Sequence, residues 1–394
     1  MDATFNAYTQ ALANYAKPQA FVDMDAFDAN LAALLKRAQG MPIRVASKSV
    51  RCPDLLRYAL EFSEQFQGLL CFHGLEAVVL AQQGFTDLLV AYPTTDAHVL
   101  NTVCQQIARG GDITLMVDSP QQAAIIADIA RNNNVVVPLC MDVDMSMHLP
   151  KLNFGVYRSP VRTVETALAL YQTIAVNTHV RLTGVMGYEA QVAGVPDKVP
   201  GQGAKNHLIH YLKQRSIKQL HQRRQAIVTA LKDAGAELTL VNGGGTGSLE
   251  STIQDTSVTE VAAGSGLYSP TLFDNYRAFK HQAALLFVLE VCRQPSPEVV
   301  TCLGGGYVAS GAAGKDKLPV PVWPQGLKLI DNEGAGEVQT PLTGEQLPPV
   351  GEQVFFRHAK AGELLERFNQ VLLVRGNKCV GNAQTYRGLG WQFI

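Results

Sequence analysis

Eight short apolar runs, each followed by a longer stretch with helical punctuation, occupy the chain from residue 43 onward. The runs are Ile43 to Ser47, Gly68 to Phe72, Leu88 to Tyr92, Ile113 to Asp118, Val136 to Asp144, Leu182 to Glu189, Leu238 to Asn242 and Thr259 to Ala263. Runs of this length and composition predict strands. Between them Pro53 opens one helix at its first turn, Asp96 stands near the start of another, Ser119-Pro120 precedes Gln121 to Arg131, and a long helix runs through Gln214 to Ala234. Eight alternations in about 220 residues suit a (β/α)8 barrel. Periodicity does not show closure, so an open doubly wound sheet is the alternative.

After Pro270 helical periodicity fades. Glycine and proline rise around the β-branched runs Glu298 to Leu303, Leu327 to Asp331 and Val371 to Val374. The α/β chain therefore divides into a barrel with an N-terminal helix, residues 1–270, and a mainly β domain, residues 271–394. The N-terminal helix centres on Asn6 to Tyr15, and no internal repeat or low-complexity segment is visible.

The balance of 33 basic against 34 acidic residues, a net charge of −1, leaves no basic stripe for a nucleic-acid backbone. Asp2 interrupts any leader-like start, and the longest apolar run, Ala283 to Cys292, is broken by Glu290. Neither secretion nor a membrane span is expected. Seven scattered cysteines form neither a disulfide framework nor a zinc pattern, which predicts buried thiols in a reducing cytoplasm. With 47% hydrophobic and only 17% charged residues, some surface is expected to be buried between subunits.

Five short segments carry candidate chemistry. In Arg44-Val-Ala-Ser-Lys48 the lysine follows the first barrel strand, at the end where such barrels hold their sites, with Arg44 and Arg51 near enough to depress its pKa. A lone lysine is usually only a solvated surface group. Val241-Asn-Gly-Gly-Gly-Thr-Gly-Ser248 and Glu260-Val-Ala-Ala-Gly-Ser-Gly266 are small-residue turns after the seventh and eighth strands, where barrels often seat a phosphate. The first matches neither a dinucleotide fingerprint nor a P-loop. Together with Lys48 they outline one pocket for a phosphorylated aldehyde. Gly187-Tyr188-Glu189-Ala190-Gln191 ends the sixth strand, where Tyr188 can pack on a planar ring and Glu189 or Gln191 can hydrogen-bond to a ligand. His358, in Arg357-His-Ala-Lys360-Ala-Gly-Glu363, reads on spacing alone as a histidine on a helix surface, and Cys71-Phe-His73 as core.

Taken together, these segments resemble the alanine-racemase-type (fold type III) pyridoxal phosphate enzymes, most closely the D-threonine aldolase and D-serine dehydratase branch. The resemblance covers most of the chain. It includes Phe21-Val-Asp-Met-Asp25 with Asn30, the Arg44-x-x-x-Lys48 spacing, Gly187-Tyr-Glu, both glycine turns and the trailing β domain. It implies pyridoxal 5'-phosphate carried on Lys48, with Arg44 and Tyr188 beside it and the phosphate held by Gly244, Gly245, Thr246, Gly247, Gly264 and Ser265. It also implies a homodimer whose β domain completes the partner's site.

Three departures stand out. Where relatives have an arginine for the cofactor's ring oxygen, this chain reads Asn153-Phe-Gly155. Ala262 stands where they place a polar partner for the pyridine nitrogen. Where they carry His-x-Cys or His-x-Asp as metal ligands, it has His358-Ala-Lys360, so either Glu363 substitutes or the ammonium supplies the charge and no metal binds. The leading expectation is retro-aldol cleavage of D-β-hydroxy-α-amino acids, with Lys48 and His358, or a neighbour of His358, as the acting groups. Dehydration of the D-serine type and racemisation are alternatives within the family. A non-catalytic cofactor-carrying protein is the alternative of another class, although proteins of that kind lack a second domain.

Overall fold

In the computed structural model, which describes residues 3–149 and 152–394, all eight expected runs form strands; Met1 and Asp2 lie outside the described residues. A strand β1 (Gln19–Asp23) precedes them. The eight are β2 (Ile43–Ala46), β3 (Phe66–Cys71), β4 (Leu88–Val90), β5 (Ile113–Val117), β6 (Val137–Asp142), β9 (Val180–Gly187), β10 (Leu240–Gly243) and β11 (Glu260–Ala263); a hairpin, β7 (Met147–Leu149) and β8 (Leu152–Phe154), lies between β6 and β9. Every neighbouring pair among the eight is parallel, and β11 returns to pair with β2. The sheet is a closed barrel, so the open doubly wound alternative is overturned.

Alternation along each strand sorts the side chains. Leu89, Met116, Cys140 and Met186 fill the barrel interior with Leu70 and Leu240, while Leu88, Val90, Leu115, Val117, Leu139 and Met141 join the larger core under the helices. The helices are α1 (Ala3–Ala11), α2 (Met24–Ala38), α3 (Pro53–Phe62), α4 (Gly74–Gln82), α5 (Ala97–Ala108), α6 (Pro120–Asn132), α7 (Val164–Ala175), the one-turn α8 (Ala190–Ala193), α9 (Gly203–Asp233), and the one-turn α10 (Leu249–Thr252) and α11 (Ser265–Tyr268). Their starts follow the sequence: Pro53 and Pro120 sit in first turns, and the side chains of Asp96 and Ser119 accept N–H groups of Val99 and Gln122. The long helix α9 begins eleven residues before the expected Gln214.

The remaining strands, β12 (Leu285–Ser296), β13 (Val299–Leu303), β14 (Val320–Trp323), β15 (Lys328–Leu329), β16 (Gln339–Thr343), β17 (Gln353–Arg357), β18 (Gln370–Arg375) and β19 (Lys378–Gln384), build a second sheet with β1. There β1 lies between β12, antiparallel, and β18, parallel, so the chain's opening segment belongs in space to the second sheet. Helix α1 covers one face through Tyr8, Ala11 and Phe5, against Phe21, Phe355 and Trp323. The apolar run from Ala283 ends inside β12, and no helix among the described residues is long and apolar enough to cross a membrane. All seven cysteines are free; five are buried, while Cys292 and Cys379 are partly exposed, contrary to the expectation for those two.

Candidate active site

The site is organised at the carboxyl ends of the barrel strands. Strand β2 ends at Ala46 and a 3-10 turn, Ser47–Ser49, turns the Lys48 side chain out over the mouth, where it is exposed and its Nζ donates to the Tyr92 hydroxyl at 2.6 Å. Tyr92 lies two residues beyond β4. Burial pushes its pKa up, but the Lys48 ammonium and the nearby Arg158 outweigh that and bring it below the ordinary value. Beneath the turn, Glu76 is fully buried, accepts from the Phe72 N–H at 2.6 Å and the Tyr386 hydroxyl at 2.8 Å, and is pushed by burial up to about 7.

Both glycine turns come to the same mouth. The Ser49 and Ser265 hydroxyls meet at 3.1 Å, joining the turn after β2 to the turn after β11, and the Gly266 N–H donates to Thr246 Oγ1 at 3.0 Å, joining the latter to the turn after β10. Among the described residues no protein acceptor meets the backbone N–H groups of Thr246 and Gly247, which leaves them to bind an anion. Gly247 has no room for a side chain: a Cβ would overlap the Ala193 carbonyl oxygen and crowd the Tyr276 ring. Two groups that the sequence did not reveal hold the turns from behind. Arg37 of α2 donates to the Thr246 carbonyl at 2.6 Å and pairs with Glu250. His281, kept neutral by burial, which takes its pKa down to about 4, sits between Arg37 Nη1 at 3.2 Å and the Gly266 carbonyl at 2.9 Å.

A cation stands near Lys48 although Asn153 replaces the expected arginine. Arg158, five residues further on, donates through Nε to Asp142 at 2.9 Å and through Nη2 to the Ala91 carbonyl at 3.0 Å, and lies 5.1 Å from the Tyr92 ring centre and 5.7 Å from that of Tyr188. Burial raises the Asp142 carboxyl to about 6 against the pull of Arg158, and its Oδ1 has no partner. Tyr188 lies against Gly245, where an added Cβ would come within 3.3 Å of the ring. The sequence signal for Arg158 was only its place in the loop after β8.

Other candidates go elsewhere. Arg44 is 2% exposed, and its guanidinium is spent on Glu260 at 2.6 Å and on the Asp87 carboxylate at 2.9 Å and carbonyl at 2.7 Å. Glu260 opens β11 and Asp87 directly precedes β4, so Arg44 works at the amino ends of the strands; at about 3.3 Å per residue that is on the order of 10 Å from Lys48. This corrects its assignment beside the cofactor. Glu189 lies under the first glycine turn, accepting from the Gly244 N–H at 2.6 Å and paired with Arg224, which also holds Asp255 at 2.7 Å. Gln191 donates to the Met145 carbonyl at 2.6 Å and to Ser216 at 2.9 Å. Both are buried and engaged with the protein, although the Gln191 Oε1 has no partner. Ala262 is buried on β11 and brings no polar group.

His358 is not on a helix surface. It follows β17, is 2% exposed, and neither ring nitrogen has a hydrogen-bond partner; burial pushes its pKa down to about 3, Arg357 adds to this and the Leu285 backbone opposes it. It lines a cleft of about 450 Å³ with Lys360, Glu363, Glu366, Arg51 and Tyr307. The cleft abuts the Lys48 turn. Arg51 Nε donates to the Lys48 carbonyl at 3.1 Å, and Gly362, at φ +88°, packs so closely that a Cβ would overlap the same oxygen. Lys48 itself does not line the cleft, since its side chain reaches to Tyr92.

Comparison with known proteins agrees with this architecture. The family model described as alanine racemase, N-terminal domain, matches residues 22–271. A D-threonine aldolase from Arthrobacter sp. is 24% identical over 301 residues, covering 73% of this chain and 71% of its own. The crystal structure of D-threonine aldolase from Filomicrobium marinum superposes with a TM-score of 0.81 at 19% identity, over 97% of both chains. D-threo-3-hydroxyaspartate dehydratase from Delftia sp. HT23 does so at 0.75 and 20%, over 95% of this chain and 98% of the other, and a variant of that dehydratase has been solved in a metal-free form.

Proposed function

The chain belongs to the alanine racemase N-terminal domain family, and from that premise we propose that it is a pyridoxal phosphate-dependent lyase that cleaves D-β-hydroxy-α-amino acids by retro-aldol reaction to glycine and an aldehyde. The observation that carries this is the convergence, at one barrel mouth, of an exposed lysine, two linked glycine turns with unpartnered amides, and a cation set between two tyrosine rings. The residues present fit the cofactor. The Thr246 and Gly247 amides with Ser265 and Ser49 suit its phosphate, Tyr188 offers a flat face, Arg158 a positive charge for its ring oxygen, and Lys48 the amine.

Once bound, the cofactor supplies an electron sink for the pair released when a bond at the substrate's Cα breaks. This chain's residues choose the bond. Tyr92 accepts a hydrogen bond from the Lys48 amine, which fixes where that amine sits at the mouth. Arg37, His281 and Glu189 fix the turns from behind, so the phosphate end cannot drift. We assign to His358, whose imidazole burial keeps neutral, the role of accepting the proton of the substrate's β-hydroxyl group.

Resemblance to the aldolases, by sequence and by fold, favours retro-aldol cleavage over dehydration; resemblance to the hydroxyaspartate dehydratase keeps β-elimination as the second reading. Incubation of the holoenzyme with D-threonine, D-serine and D-alanine separates them. Glycine and acetaldehyde from D-threonine support the proposal, whereas ammonia and a keto acid as the products overturn it. Borohydride followed by peptide mapping is expected to fix the cofactor on Lys48, and Lys48→Ala to abolish both label and turnover.

A further inference from the structure

The family resemblance brings with it a divalent cation held by a histidine and by a cysteine or aspartate two residues on, and the residues of this chain do not fit one. The stretch that follows β17 here is His358-Ala359-Lys360, and both outer side chains line the same cleft. A cation entering it would meet a fixed positive charge where an anionic ligand is needed. The two glutamates that line the cleft are already engaged. Glu363 accepts both the N–H, at 2.6 Å, and the hydroxyl of Ser310, while Glu366 pairs with Arg51 at 2.7 Å. Lys360 donates to the Ser310 carbonyl at 2.8 Å, so Ser310 carries both the ammonium and the Glu363 carboxylate. Both Glu363 oxygens are thereby held to Ser310, which works against Glu363 as a substitute ligand. Among the described residues no group of three His, Cys, Asp or Glu comes together.

What His358 and Lys360 bring to the cleft is a neutral imidazole and an ammonium two residues apart. The His358 ring is buried, with the Leu285 backbone as its one polar neighbour and no well-formed hydrogen bond to the protein, a cost that a polar group of a ligand would offset. Resting on the reading above, we infer that this cleft is a metal-independent subsite in which the Lys360 ammonium and the His358 imidazole together receive the oxygen on the substrate's Cβ. Arg51 lines the cleft and donates to the Lys48 carbonyl, and Gly362, next to the lining residue Glu363, packs on that same oxygen, which ties the subsite to the mouth of the same chain.

The test uses holoenzyme incubated with Mn²⁺ or Zn²⁺ and freed of loose ions by gel filtration. Elemental analysis is expected to find no stoichiometric metal in the wild type and about one equivalent in Lys360→Asp, lost again when His358→Ala is added. Stoichiometric metal in the wild type that His358→Ala removes would overturn the inference. A second readout addresses the Cβ oxygen: in Lys360→Gln, spectral titration is expected to show at least about tenfold weaker binding of D-threonine with D-alanine binding unchanged. Equal loss for both amino acids would also overturn it. Cofactor content, measured by borohydride trapping in every variant, separates this outcome from failure of the functional reading, which would show as no label in the wild type.

Discussion

The hydrogen bond between Lys48 and Tyr92 places a phenol whose ionisation is eased by two cations against the amine proposed to carry the cofactor. A lowered phenol pKa means that Tyr92 loses its proton earlier than a free tyrosine as pH rises, and the anion formed is held by Lys48 and Arg158. Tyr92→Phe is therefore expected to lower kcat/KM by about a hundredfold and to move the alkaline limb of its pH profile. An unchanged alkaline limb would assign that ionisation elsewhere. At this scale the sequence was an uneven guide. Lys48 could be placed because it directly follows a strand, and the glycine turns because they follow two others. Arg44 was misplaced because four residues look close in sequence, yet along a strand they separate opposite ends of the barrel. Arg37, His281 and Glu76 left no local signal: Arg37 acts on Thr246, 209 residues away, a contact that only closure of the barrel creates.

Among the elements, the loop after β17 depends on one residue. Gly362 adopts φ +88°, which L side chains rarely adopt, and lies on the Lys48 carbonyl, so two independent constraints exclude a Cβ. Gly362→Ala is expected to cost more than about 2 kcal/mol and to loosen the turn that presents Lys48. Chemical denaturation read alongside cofactor retention checks it, and a variant with unchanged midpoint and cofactor content would show that the loop yields freely. The eight barrel strands were legible because strands buried on both faces are written as nearly unbroken apolar runs. Much of the second sheet was not. Strands such as β14 and β19 are short or half-exposed and draw their pairing from partners far along the chain, and β1 gives no hint in its five residues that its neighbours are β12 and β18.

For the whole molecule, Glu76 joins the barrel to the chain's last residues through Tyr386. Its carboxyl is raised from the ordinary 4.5 to about 7, so the folded protein keeps a proton there that the unfolded chain releases. The stability this group contributes is full below about pH 4.5, falls as pH rises towards 7, and is level above that. Glu76→Gln is expected to flatten the pH dependence of the holoenzyme's urea midpoint across that window, removing the uptake of about one proton on folding. A slope equal to the wild type's would place the proton on another group.

The position of β1 has a consequence for how the polypeptide is made. Its first partner, β12, leaves the ribosome about 265 residues later, roughly 13 to 53 s at ordinary elongation rates, and β18 later still. All eight staves of the barrel are synthesised in that interval, and the first strand waits unpaired beside them until the sheet that needs it arrives.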